Sequence, residues 1–252
     1  MSGSFLLPAF ALPCIFVLVI SDSRGAGLQD LLNEQPGSSL SINWTVKEIK
    51  GATINTISRK IDRLHQNYKV IIVLAGICNF TTKHRRVTRH TIEYPERRKD
   101  ATIEEIKNLL DKYITKVHIC TITPADLLKR QDPNSTVTED IQKDLVQDIS
   151  DTNQYIKTRN IDRDFPTIDL ANNSTSHSLK TQGGKKKKIA KFTSKDLPDG
   201  IHPSLTLKRD WARYISQVTP NIIRKIEEKL EQDSSQSEDE SWRQKRRRTN
   251  KQ

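Results

Sequence analysis

A carboxylate stands three residues ahead of a histidine at Asp199-Gly200-Ile201-His202, in a loop stiffened by Pro198 and Pro203. At that spacing the acid can turn onto the imidazole, orient it and stabilise its protonated form. The far ring nitrogen is then left to draw a proton from a hydroxyl. A hydroxyl suited to that role occurs early in the chain, where the apolar run Cys14 to Ile20 stops at Ser21-Asp22-Ser23. Ser23 falls just past the end of that run, followed by Arg24, Gly25 and Gly27. Taken alone, the block is equally an ordinary capped turn, since Ser, Asp and Gly are the usual residues of helix starts and tight turns.

The elements that must carry these residues follow from hydrophobic pattern. Cys14 to Ile20 is apolar at every position, which fits a parallel strand covered on both faces. Tyr68 to Leu74 and Val117 to Ile122 read the same way, and Ile42 to Ile49 alternates as a strand. Phe165 to Leu170 is expected as a last strand. Between them, helical spacing appears at Leu28 to Leu32, at Ile54, Ile57, Ile61 and Leu64, at Ile103 to Tyr113, and from Ile141 to Ile156. Strands alternating with helices imply an α/β chain with a doubly wound sheet, and ligands of such sheets sit beyond the carboxyl ends of the strands. Ser23 would lie there. Gly51, in Gly51-Ala52-Thr53-Ile54, permits a close backbone approach, so its N–H could face a developing oxyanion; a plain strand-to-helix turn needs Gly for the same steric reason.

The Ser-Asp-Ser block, the Gly51 block, the strand end at Gly76 to Asn79 and Asp-Gly-Ile-His, in that order, resemble the SGNH, or GDSL-like, hydrolase family. The resemblance runs from about Cys14 to Val218 and rests on short motifs. It implies a three-layer α/β/α sandwich with a mainly parallel, flavodoxin-like sheet of about five strands. It also implies a serine esterase or deacetylase acting on small acyl esters or acetylated substrates; the six histidines show no paired ligand spacing and no Gly-rich phosphate loop occurs, so the chemistry is expected to need no metal and no cofactor. Ser23 would be nucleophile, His202 base and Asp199 its orienting acid, with an oxyanion hole from Ser23, Gly51 and Asn79. Two departures stand out: Ser21 occupies the place of a usual Gly, and Cys78 that of the usual Asn, so Asn79 comes one position late.

Charge adds a second theme. The net charge of +11 is matched by two clusters, Lys185, Lys186, Lys187, Lys188 and Lys191, and Arg243, Lys245, Arg246, Arg247, Arg248 and Lys251. The basicity is therefore local. A further surplus lies in Lys83 to Lys99, which holds Arg85 and Arg86 with His84, His90 and Tyr94 interleaved. Such runs are usually solvated faces, but together with Arg24 they also fit a rim for an anionic substrate or a nucleic-acid backbone. The alternative function is accordingly a catalytically weakened SGNH-fold protein associated with nucleic acid, as in retroelement accessory domains.

The expected organisation is a lead-in over residues 1–13 and a domain over 14–218, with a flexible Lys-rich insertion at 171–196. A charged helix and disordered basic tail would follow over 219–252. Three cysteines, Cys14, Cys78 and Cys120, lie in apolar runs and read as free thiols of a reducing compartment. Ser4 to Ile20 lacks a preceding Lys or Arg and is interrupted by Pro8 and Pro13. An intracellular protein, cytoplasmic or nuclear and without a membrane anchor, is the expectation.

Overall fold

The computed structural model describes residues 14–36, 40–86, 89–93, 98–130, 137–173, 175–182, 185–192 and 196–249. Over 82–93, 130, 173–192 and 235–249 the description covers the backbone alone. The chain runs β1 (Ile15–Ser21), α1 (Leu28–Asn33), β2 (Ile42–Glu48), α2 (Ile54–Ile61), β3 (Val70–Leu74) and the short α3 (Ile77–Phe80). A hairpin of β4 (Thr82–Arg86) and β5 (Arg89–Glu93) follows, then α4 (Lys99–Lys112), β6 (Val117–Ile119), α5 (Glu139–Asp162) and α6 (Leu170–Asn173). A second hairpin, β7 (Thr175–Gln182) and β8 (Lys185–Phe192), precedes the long α7 (Leu205–Thr249).

Strands β2, β1, β3 and β6 form one parallel sheet in that order. The uninterrupted apolar run of β1 is explained by its two covered faces. Leu18 and Ile20 pack with Ile71, Val73, Val117 and Ile119 beneath α2, α4 and α5. Val17 and Val19 pack with Val70, Ile72 and Leu74 beneath α1 and α7. Each such side chain contributes about 1.5–3 kcal/mol when taken fully out of water. The result is the three-layer sandwich implied by the resemblance. Because the chain passes from β1 to β2 on one side and then crosses to β3 on the other, the carboxyl end of β1 is the switch point where a crevice opens.

The sheet has four strands, and not about five. Phe165 to Leu170, expected as a strand, joins no ladder: 165–169 is irregular and Leu170 opens α6. Pro166 has no N–H to give, and the segment is tied to the sheet end mainly through Thr121. The Thr121 N–H donates to Ile168 O (3.0 Å), its hydroxyl donates to Asp169 Oδ1 (2.9 Å), and the Ala171 N–H donates to Thr121 Oγ1 (2.9 Å). Side-chain bonds here replace a strand ladder.

Two further elements differ from the expected layout. The Lys-rich insertion pairs its backbone as the β7–β8 hairpin. The C-terminal helix does not stop before Pro220 but continues through it to Thr249. One apolar stripe, Ala212, Ile215, Ile222, Ile223 and Ile226, is buried on both sides of the proline. That continuous burial outweighs the single backbone bond that Pro220 removes. Among the described residues no helix is long and apolar enough to cross a membrane.

Candidate active site

The carboxyl end of β1 is pinned by both neighbouring strands. Ile49 donates its N–H to Ser21 O (2.8 Å), and Asp22 donates its own to Leu74 O (3.2 Å). The chain then tightens into a 3₁₀ turn over Ser23–Gly25, capped by Asp22, whose Oδ1 accepts from the Arg24 N–H (3.0 Å). Gly25 is required by packing here. A Cβ at that position would stand 2.0 Å from Ser21 Oγ and 2.5 Å from Ser21 Cβ. The Ser21 side chain thus occupies the space that Gly25 leaves.

Arg24 departs from its expected place on an anionic rim. Its side chain is buried, as is that of Asp22. The guanidinium bonds the Asp22 carboxylate through Nε and Nη2 and donates from Nη1 to Thr123 Oγ1 (2.7 Å) and Thr123 O (3.3 Å). A charge at zero exposure must be paired and hydrogen-bonded, and Arg24 meets that need by tying the serine turn to the chain beyond β6.

On the opposite wall, the Asp199 loop is folded on itself. Asp199 Oδ1 accepts from the Ile201 N–H (3.0 Å) and the His202 N–H (2.7 Å), an arrangement that fixes the carboxylate and leaves Oδ2 facing the ring. Gly200 takes the left-handed backbone (φ +80°) and approaches Asp126 so closely that a Cβ would lie 2.1 Å from Asp126 O. The Asp126 N–H donates to Gly200 O (2.7 Å), and Lys129 Nζ donates to Leu197 O (2.9 Å). Neither brace carries a signal in the sequence, because each is a single residue, Asp126 in a loop and Lys129 in the 3₁₀ turn that follows it.

The loop delivers His202 to the serine turn. His202 Nε2 lies 3.0 Å from Ser23 Oγ, and His202 Nδ1 lies 2.7 Å from Asp199 Oδ2. With an ionised Asp199 accepting at Nδ1, the proton belongs on Nδ1, and the Nε2 lone pair faces the serine hydroxyl. The side chains of His202 and Asp199 are 37% and 40% exposed, so water and a small substrate can reach them. The Ser23 N–H opens its 3₁₀ turn, and it and the Gly51 N–H have no hydrogen-bond acceptor among the described residues. Gly51 is exposed in a left-handed turn (φ +70°) just beyond β2.

Asn79 is engaged elsewhere than in the role implied for it. Its Oδ1 accepts from the Ile54 N–H (2.9 Å) and its Nδ2 donates to Glu105 Oε2 (2.8 Å). It thereby holds the start of α2, three residues past Gly51, against α4. Arg85 and Arg86 fall in β4, Lys185, Lys186, Lys187 and Lys188 in β8, and Arg246, Arg247 and Arg248 in the last turns of α7, all with side chains outside the described residues. Cys120 lies buried beside Arg24, and burial pushes its thiol well above the usual range, which keeps it protonated and unreactive.

No protein-family model and no curated protein matches the chain. Among solved structures it is similar to a lipase/acylhydrolase from Enterococcus faecalis (17% identity, 81% of this chain and 94% of that one, TM-score 0.53). A putative acylhydrolase from Bacteroides fragilis gives 16% identity over 85% of this chain and 91% of that one, with TM-score 0.53. A mutant of an acetyl-xylooligosaccharide esterase from Geobacillus Stearmophilus gives 13% identity, 84% and 94% coverage, and TM-score 0.52. The chain has the SGNH-hydrolase fold.

Proposed function

We propose that the protein is a serine hydrolase that cleaves small acyl esters. The observation that carries this reading is the continuous hydrogen-bonded line Asp199 Oδ2, His202 Nδ1, His202 Nε2, Ser23 Oγ, with links of 2.7 and 3.0 Å. The similarity of fold to acylhydrolases and to an acetyl-xylooligosaccharide esterase supports an acyl group of acetyl size.

In this reading Ser23 Oγ attacks the acyl carbon while its proton passes to His202 Nε2. Asp199 stabilises the imidazolium and keeps its ring in register. The oxyanion is received by the N–H groups of Ser23 and Gly51, neither of which has an acceptor among the described residues. Collapse of the tetrahedral adduct expels the alkoxide, which takes the proton from His202 and leaves Ser23 acylated. Water, deprotonated by His202, then attacks the acyl-enzyme, releasing the carboxylic acid and restoring the Ser23 hydroxyl. Asn79 serves the hole indirectly, by anchoring the helix that follows Gly51.

A fluorophosphonate probe tests the reading, because it phosphonylates a serine only when a base activates it. Labelling of the wild type that disappears in both Ser23→Ala and His202→Ala is the expected result. An unlabelled wild type with an intact fold overturns it.

A further inference from the structure

The four-stranded sheet has one functional edge, and two basic hairpins leave it and return to it. Hairpin β4–β5 starts after α3, beyond the carboxyl end of β3, and returns to the first turn of α4. Hairpin β7–β8 starts after α6, whose Ala171 N–H is bonded to Thr121 at the carboxyl end of β6, and returns at Asp196 to the loop that carries Asp199 and His202. Ser23 follows β1, the neighbour of β3 on the side away from β6, at the same end of the sheet.

Residues 82–93 hold Lys83, Arg85, Arg86 and Arg89 against Glu93 alone, while 175–192 hold six lysines and no acid. The strand registers set like charges directly opposite each other, Arg86 against Arg89 and Lys180 against Lys187. Such pairs destabilise an antiparallel ladder, and Lys185 to Lys188 add four cations at consecutive positions of β8. A hairpin of this composition repels itself in isolation, and a polyanion laid along it relieves the repulsion.

We propose that these two hairpins form a docking surface for single-stranded nucleic acid at the edge of the sheet that carries Ser23 and His202. The chemistry fits phosphodiesters in particular. Closely spaced Lys and Arg neutralise a backbone of regular charge, and the interleaved His84, His90 and Phe192 are residue types on which unpaired bases stack. Anionic lipid is the poorer match, because the lysine hairpin offers Leu179, Ile189 and Phe192 as its only large apolar residues. The surface does not depend on the esterase reading, so either can fail alone.

The experiment is fluorescence anisotropy of the full chain with a labelled single-stranded RNA of mixed sequence, titrated at several NaCl concentrations. Wild type is expected to show log K falling linearly with log salt. Replacing Lys185, Lys186, Lys187 and Lys188 by Gln should lower the slope by about 0.7 for each lysine that meets a phosphate. Arg85→Gln with Arg86→Gln is the second variant, and the thermal midpoint of each shows that it folds. Salt-independent binding, or slopes unchanged in both variants, overturns the proposal. So does a loss confined to Arg246→Gln, Arg247→Gln and Arg248→Gln in the tail, or binding to anionic vesicles without binding to RNA.

Discussion

The Arg24 guanidinium holds the Asp22 carboxylate from Nε, at 3.1 Å to Oδ1 and 3.2 Å to Oδ2, and from Nη2, at 2.9 Å to Oδ2, with Ser23 between them in the chain. Both side chains are out of water. Arg24→Met leaves the Asp22 carboxylate buried without its partner, and a loss of about 3–5 kcal/mol in urea unfolding is expected. Adding Asp22→Asn removes the stranded charge and should restore more than half of that loss. Probe labelling of Ser23 should stay slow in the double variant, because the tie from the serine turn to Thr123 is still missing. Full-rate labelling there would show that the clamp serves folding alone.

Ser21 and Gly25 form a complementary pair whose coupling can be measured. Gly25→Ala drives a methyl into Ser21 Oγ and Cβ, and overpacking of this kind costs about 1–3 kcal/mol. With Ser21→Gly in the same chain, the nearest remaining side-chain atom to that methyl is Leu28 Cδ1 at 3.7 Å, an ordinary contact. The double variant should therefore be more stable than Gly25→Ala alone, as read by denaturant midpoints. Additive losses would rule the pairing out.

What the sequence discloses depends on whether a residue's role is written in its own pattern or in its partners. Strand β3 is legible because two buried faces demand apolar residues at every position, β1 because the same holds from Val17 to Ile20, and the Asp199 loop because acid and imidazole lie within one turn. Phe165 to Asp169 misleads because its apolar residues are buried like those of a strand, while Pro166 and Thr121 decide that no ladder forms. Arg24 misleads for a related reason. A cation in a polar turn reads as exposed, and only the meeting with Asp22 and Thr123, the latter distant in sequence, makes its burial affordable. Asn79 carries the right amide one position late, and its bonds to Ile54 and Glu105 depend on helices whose packing no local spacing reports.

His118 in β6 makes the fold acid-sensitive. Burial, with the Arg163 guanidinium nearby, lowers its pKa from 6.5 to about 3 against the opposing bond to Thr115 O. Between those values the unfolded chain binds a proton that the folded chain refuses. This group's contribution is complete above pH 6.5 and is lost as pH falls toward 3, at about 1.4 kcal/mol per pH unit. His118→Gln removes the titration and can keep a donor for Thr115 O, the bond now made at Nε2. Urea midpoints between pH 7 and 4.5 should decline less steeply in the variant than in wild type. Equal slopes would mean that other groups carry the whole acid response.

In the proposed mechanism the Asp199 carboxylate sets which nitrogen of His202 acts as base. In Asp199→Asn, Oδ1 can still accept from the Ile201 and His202 N–H groups, so the loop should keep its shape. The amide Nδ2 then faces His202 Nδ1, where it can only donate. The ring proton is forced to Nε2, which points at Ser23 and can no longer receive its hydrogen. Turnover of a small acyl ester should fall by about 10⁴-fold, the scale seen when a triad loses its tautomer in this way. KM should change little, since in the proposed mechanism Asp199 acts through His202, and the thermal midpoint should hold because the side chain is 40% exposed. An Asp199→Asn protein that retains full turnover would mean that His202 is not the base of Ser23.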